Sequence, residues 1–346
     1  MRRPLSLVLA LLLSAGVCSA ENWAVLVGVN DYLDHGVKDL KYGVQDARLV
    51  CDALTGAVDG FPAANVVLMT DDQQDPLRRP SRNAIIGMLS IWLNLAAEGD
   101  TVLVYFAGHG VESQDQSFLL PNDALLSNPS LTGLQLEMVK ECLRQCKARK
   151  KVLIVDCCHS GAGRDVGVMG TATAQSLFDD AEGLVALSAC DQKEQSFEWD
   201  EKGHGAFTWF LSEGLGGKAD TDGDQLVTAG ELNRYVWDST RRWAAERGLS
   251  QNPKFVSSVQ GDIVLVRSAP PELPAPGPGA LPAPAPGPVP GAVTVPPTAP
   301  APNPGHGADG AETYPTYRPG LSPGALGWGA DDAVYPGRFV ANERDG

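Results

Sequence analysis

Two apolar runs, each ending in polar and reactive residues, constrain this chain more than any other feature. Val102-Leu103-Val104-Tyr105-Phe106 leads into Ala107-Gly108-His109-Gly110, and Val152-Leu153-Ile154-Val155 leads into Asp156-Cys157-Cys158-His159-Ser160-Gly161. An uninterrupted apolar run bounded by glycine marks a strand buried on both faces, the habit of parallel sheets covered by helices. Strands are predicted at residues 23–29, 66–69, 101–106, 151–155, 184–188 and 262–266, the last closing the sheet. Helical spacing falls between them at 40–54, 81–97 (with Ser81 as N-cap), 134–148, 206–215 and 228–245. This alternation predicts an α/β fold with a mostly parallel six-stranded sheet flanked by helices. In such sheets ligands gather outside the carboxyl ends of the strands. His109 and Asp156 to Cys158 fall at those ends.

His109 and Cys158 stand about fifty positions apart, in the order and spacing that a Cys/His nucleophile pair shows in one class of peptidase. A thiolate attacks an amide carbon, and an adjacent imidazole keeps the thiol activated and protonates the leaving amine. The oxyanion that forms needs donors placed in advance, and the backbone N–H groups of Gly110 and Cys158 are the candidates. His159 and His204 are competing bases, His159 awkwardly placed beside the nucleophile and His204 in a Gly203-His204-Gly205 loop.

Tyr105 to Gly110 resembles the histidine motif of the caspase-fold cysteine peptidases, and Asp156 to Gly161 resembles their Asp-x-Cys-His-Ser-Gly motif. The resemblance extends over residues 23–266 and is to metacaspases and bacterial caspase homologues more than to animal caspases. It implies the caspase-like fold, Cys158 as nucleophile and His109 as base. It also implies an acidic pocket for the residue before the cut, formed by Asp156 and by Asp46 of Gly43-Val44-Gln45-Asp46, with Asp191 of Ser188-Ala189-Cys190-Asp191 as a further acid. Two carboxylates in one pocket pair with Arg or Lys. Animal caspases hold Asp with basic residues, so cleavage is expected after Arg or Lys. Self-cleavage is expected after Arg164, the one basic residue between 161 and 180.

Residues 220–231 carry acids at positions 1, 3, 5 and 12 of an EF-hand-type loop: Asp220, Asp222, Asp224 and Glu231. Calcium is therefore the candidate ligand, although no cofactor is required for the thiol chemistry. Position 6 is Gln225 where the loop normally has glycine, which puts the sharp turn in question. The acids after the histidine motif, Glu112, Asp115 and Asp123, are scattered. Zinc is disfavoured, because Cys157, Cys158 and His159 are consecutive, which is poor geometry for several ligands on one ion.

Arg2 and Arg3, the apolar stretch 5–13 and the small residues Ser19 and Ala20 read as a secretory signal over 1–20, too short to span a bilayer. The peptidase-like domain then covers 21–267, and 268–346 is a Pro/Ala/Gly-rich tail expected to be disordered, holding nineteen of the chain's 26 prolines. The expectation is a secreted, periplasmic or envelope protein without a membrane span. A net charge of −15 argues against nucleic acid and suits basic peptide substrates. The rival reading is a non-catalytic module of the same fold that binds basic peptide or calcium.

Overall fold

The computed structural model describes residues 20–114, 116–157, 183–191, 194–259 and 261–268. They lie in the unit Met1–Gly277, whereas the unit Pro278–Gly346 lies wholly outside them. The expected signal segment and tail therefore fall outside the described residues, apart from Ala20 and Ser268.

The strands are β1 (Asn22–Gly28), β2 (Val66–Thr70), β3 (Thr101–Gly108), β4 (Gly110–Ser113), β5 (Gln116–Leu119), β6 (Leu134–Gln135), β7 (Lys150–Cys157), β8 (Leu184–Ser188), β9 (Glu198–Trp199), β10 (His204–Gly205), β11 (Leu226–Thr228), β12 (Lys254–Ser257) and β13 (Val264–Arg267). The helices are α1 (Gly43–Gly56), α2 (Arg82–Trp92), α3 (Pro129–Thr132), α4 (Leu136–Gln145), α5 (Ala206–Glu213) and α6 (Ala229–Glu246). Six strands form the main sheet in the order β12-β8-β7-β3-β1-β2. All neighbours run parallel except β12, which is antiparallel to β8.

Every residue of β3 is buried, as is β7 from Val152 onward. Helices cover both faces. Val25, Val27, Val104, Phe106, Leu153 and Val155 pack against Leu89 of α2 and Val139 and Leu143 of α4. Leu26, Leu103, Tyr105 and Ile154 pack on the other face against Val50 and Leu54 of α1, Phe207 and Leu211 of α5, and Leu232 of α6. Consecutive strand residues point to opposite faces, so a sheet buried on both sides needs the uninterrupted apolar runs seen here.

Three expectations are corrected. The strand 262–266 does not close the sheet: Val264–Arg267 pairs antiparallel with Leu226–Thr228 in a separate ribbon, and Lys254–Ser257 is the sixth strand. An edge strand that is only half-buried needs no apolar run, so β12 gave little signal. The helix 134–148 is confined to Leu136–Gln145, because Leu134 and Gln135 pair with β5. The strand 151–155 extends through Cys157, which takes Asp156 into the sheet itself. Ser81 caps α2, its hydroxyl oxygen accepting the Ala84 N–H at 3.4 Å.

Candidate active site

Parallel register brings the two reactive segments together. Gly108, the last residue of β3, is opposite Cys157, the last residue of β7. His109 and Cys158 are the next residues along these two neighbouring strands. Cys158, His159 and Arg164 lie outside the described residues, as does Asp115.

His109 is fully buried. Its backbone N–H donates to the Tyr32 hydroxyl at 2.8 Å, and the Tyr32 ring lies 5.2 Å from the imidazole. Nε2 is 2.8 Å from the carbonyl oxygen of Lys38. A carbonyl can only accept, so this contact puts a proton on Nε2 and leaves Nδ1 as the basic atom of the neutral ring. Gly110 is buried in β4, and a Cβ there would stand 3.1 Å from the sulfur of Cys157, so glycine lets the two strand ends close together. Cys157 itself is sealed, and burial pushes its thiol well above the usual range. A thiol held protonated is a poor nucleophile.

The acid pair is assembled by tertiary contact. Asp46 comes from α1 and Asp156 from β7, and they are 1% and 0% exposed. Both abut Gly205, where a Cβ would stand 3.0 Å from Oδ2 of Asp46 and 3.2 Å from Oδ2 of Asp156. Asp46 accepts the Gly205 N–H on both oxygens, each at 3.0 Å, and its Oδ1 is 3.0 Å from Nδ1 of His204. Asp156 accepts from the hydroxyls of Ser196 at 2.8 Å and Thr208 at 2.6 Å. The Tyr105 hydroxyl, 2.6 Å from that of Thr208, extends the chain into the sheet. Gly205 caps α5, so the positive end of a helix faces the pair. Burial pushes the Asp46 carboxyl up to about 7, and the neighbouring Asp156 adds to this, against the hydrogen bonds from His204 and Gly205. Asp46 is thus no surface acid of its helix. Asp191 is instead half-exposed and paired with Lys254 of β12 at 2.9 Å.

A model of the caspase domain matches residues 21–264. This chain belongs to the caspase-domain peptidases of family C14. It is similar to Metacaspase-1 of Eremothecium gossypii, 24% identical over 174 aligned positions, with 44% of this chain and 34% of that protein covered. It is also similar to Metacaspase-2 of Arabidopsis thaliana, 30% identical over 154 residues, 41% of this chain and 35% of that one. The chain thus spans about a third of the length of these curated relatives. The solved structure of Caspase-1 from Spodoptera frugiperda aligns with a TM-score of 0.48 at 12% identity, covering 72% of this chain and 91% of that one.

The caspase domain carries a second cluster in the segment between α5 and β11. Carboxylate oxygens of Asp220, Asp222 and Asp224 lie within 4.8 Å of one another. Gln225 adopts the turn that glycine usually makes, at φ 67°, and its N–H donates to Oδ2 of Asp220 at 3.0 Å. An all-oxygen donor set of this kind fits a hard cation such as calcium. Glu231 is not in that cluster. Its oxygens accept from Thr221 and Thr228, the latter in a capping box that starts α6.

Sequence reasoning missed the supports of the site. Tyr32 and the Lys38 carbonyl come from the loop between β1 and α1, and Ser196 and Thr208 hold Asp156. None of these carries a motif. His204 stood out only as a histidine between glycines, and the structure sets it on Asp46. Among the described residues Cys51, Cys142, Cys146, Cys157 and Cys190 are free thiols.

Proposed function

We propose that this caspase domain is a cysteine endopeptidase that hydrolyses peptide bonds after Arg or Lys through a Cys158/His109 dyad. The observation that carries the reading is the register of β3 on β7, which pairs Gly108 with Cys157 one residue before each partner of the dyad. The Cys158 thiolate attacks the scissile carbonyl carbon, and the backbone N–H groups of Gly110 and Cys158 receive the oxyanion. His109, with Nε2 held by the Lys38 carbonyl, passes a proton from Nδ1 to the leaving amine. Water then releases the acyl group and restores the thiol. The preference for Arg or Lys is supported by Asp46 and Asp156, buried side by side around Gly205. A guanidinium or ammonium group offset there by two carboxylates gains charge-assisted hydrogen bonds in a site of low dielectric. Asp191, paired with Lys254, has a rim role at most in this reading.

Three further proposals accompany it. Asp220, Asp222 and Asp224 would hold calcium, which would fix the loop leading into α6. The chain would be exported through its first twenty residues. Self-cleavage would follow Arg164. The test is hydrolysis by the full chain, wild type and Cys158→Ala, of matched peptides ending in Arg, Lys or Asp, with and without calcium. Turnover of the Arg and Lys peptides by wild type alone is expected. Turnover of the Asp peptide would overturn the roles of Asp46 and Asp156. An unreactive Cys158 with retained peptide binding would favour the non-catalytic module. An unchanged digestion pattern for Arg164→Ala would remove the self-cleavage step.

A further inference from the structure

The two acids of the pocket are not held alike. Asp156 accepts from the hydroxyls of Ser196 and Thr208, which carry no charge at any ordinary pH. Asp46 faces an imidazole, Nδ1 of His204, at 3.0 Å. His204 sits on the β9–β10 hairpin, and that hairpin is fastened to the start of α1. Glu198 accepts the Lys41 N–H at 3.0 Å, and Asp200 accepts from the Lys41 ammonium at 3.0 Å and the Tyr42 hydroxyl at 2.9 Å. These contacts fix the hairpin on α1 and with it the imidazole on Asp46. The His204 side chain keeps 18% of its surface exposed, whereas Asp46 beside it is 1% exposed.

We propose that His204 is a specificity-determining residue of this pocket, a resident counter-cation with which the Arg or Lys side chain of a substrate competes for Asp46. The inference rests on the Arg/Lys reading above. With His204 neutral and both acids ionised, the pocket presents two negative charges to an incoming cation. With His204 protonated, Asp46 is already paired and only the charge of Asp156 is left over. Among the described residues, the other charged groups near the pair are occupied, Glu198 by the Lys41 N–H. Lys202 lies over the Trp209 ring at 4.5 Å, that ring stands 5.8 Å from the imidazole, and Asp200 and Lys41 pair with each other. Because burial pushes Asp46 up to about 7, the pair that it forms with the imidazole gains a proton as pH falls through neutrality. Whichever atom carries that proton, one negative charge leaves the pocket as pH falls. Binding of the substrate cation therefore weakens toward acid pH, and by linkage a bound cation makes the pair harder to protonate.

The experiment has two arms on the full chain. Steady-state kinetics from pH 5.5 to 8.5 compare peptides ending in Arg and in Leu, for wild type and for His204→Asn, which keeps a donor where Nδ1 stands but cannot titrate. The expected result is a KM for the Arg peptide that rises about tenfold, one proton's worth, from pH 8 to pH 6. The Leu peptide should show no such rise, and the rise should be smaller in His204→Asn. In the second arm, histidine-labelled Cys158→Ala protein is titrated by NMR with and without saturating Arg peptide. The peptide is expected to move the His204 midpoint down by about one pH unit, and not in the added presence of Asp46→Asn. The second arm stands even where His204→Asn does not fold. A wild type without preference for Arg or Lys at any pH overturns the specificity reading and this inference together. A clear preference with a His204 midpoint unmoved by bound Arg peptide overturns this inference alone.

Discussion

His109 works, on this reading, through one ring nitrogen, because the Lys38 carbonyl occupies the other. His109→Ala is expected to lower kcat by about two orders of magnitude or more, the usual range for losing a positioned acid–base group, with the peptide's KM little changed. Cys157 makes a contrast within the same motif. It is sealed and protonated, so Cys157→Ala should retain hydrolysis and lose only about 1 kcal/mol of stability, read by urea unfolding. Asp46 has a folded-state proton affinity raised above its unfolded value. A raised carboxyl favours the folded state at low pH and loses that contribution as pH climbs from about 4 to about 7. Wild type should therefore lose stability relative to Asp46→Asn over that window, measured as the difference in Tm between the two proteins at pH 5 and pH 8. The same substitution should remove the preference for Arg and Lys peptides. At this scale the His and Cys motifs were legible because they are local: each follows an apolar run. The surroundings of Asp46 were not, since Gly205 and His204 lie far along the chain and carry no pattern that says where they dock.

Among the elements, α6 begins with Thr228 and Glu231 in a reciprocal cap. Thr228→Ala should cost about 1 kcal/mol, measurable by thermal unfolding, without altering the peptide preference. Because Glu231 is engaged there and with Thr221, Asp222→Ala is the better probe of the loop. It should abolish a calcium-dependent rise in Tm and leave the calcium-free Tm unchanged within a degree or two, because Asp222 is exposed. Strands buried on both faces were read from the sequence to within two residues at each end, and β8 was read without error. The edge strand β12 was missed and β13 was put in its place. An edge strand half-exposed to solvent has no need of a continuous apolar run, whereas β13, buried at Leu265 and Val266 inside a two-stranded ribbon, imitates one.

Among the described residues, the six-stranded sheet separates the two main apolar layers, and the acid pair is tied to one of them. The chain Tyr105–Thr208–Asp156 runs from the middle of β3, through α5, to the end of β7. Thr208→Val should leave a buried carboxylate and a buried phenol each short of a partner and cost about 2–4 kcal/mol. Leu89→Ala on one face and Leu211→Ala on the other are each expected to cost about 2–5 kcal/mol. Both should shift the same cooperative transition, because the two layers share the strands between them. Two separate transitions by circular dichroism would contradict that coupling.

The sequence by itself determined the α/β class, the five parallel strands of the main sheet, and the order and spacing of the His and Cys motifs. These are written in contiguous residues, because burial on both faces of a strand requires an uninterrupted apolar run. Only the tertiary structure decided what surrounds those motifs. It set the register of β3 on β7, the Lys38 carbonyl on His109, the docking of the β9–β10 hairpin on α1, and the meeting of Asp46, Asp156 and His204 at one glycine. Those contacts join residues up to 159 positions apart, and each is fixed by the packing of whole helices and strands, not by the identity of near neighbours.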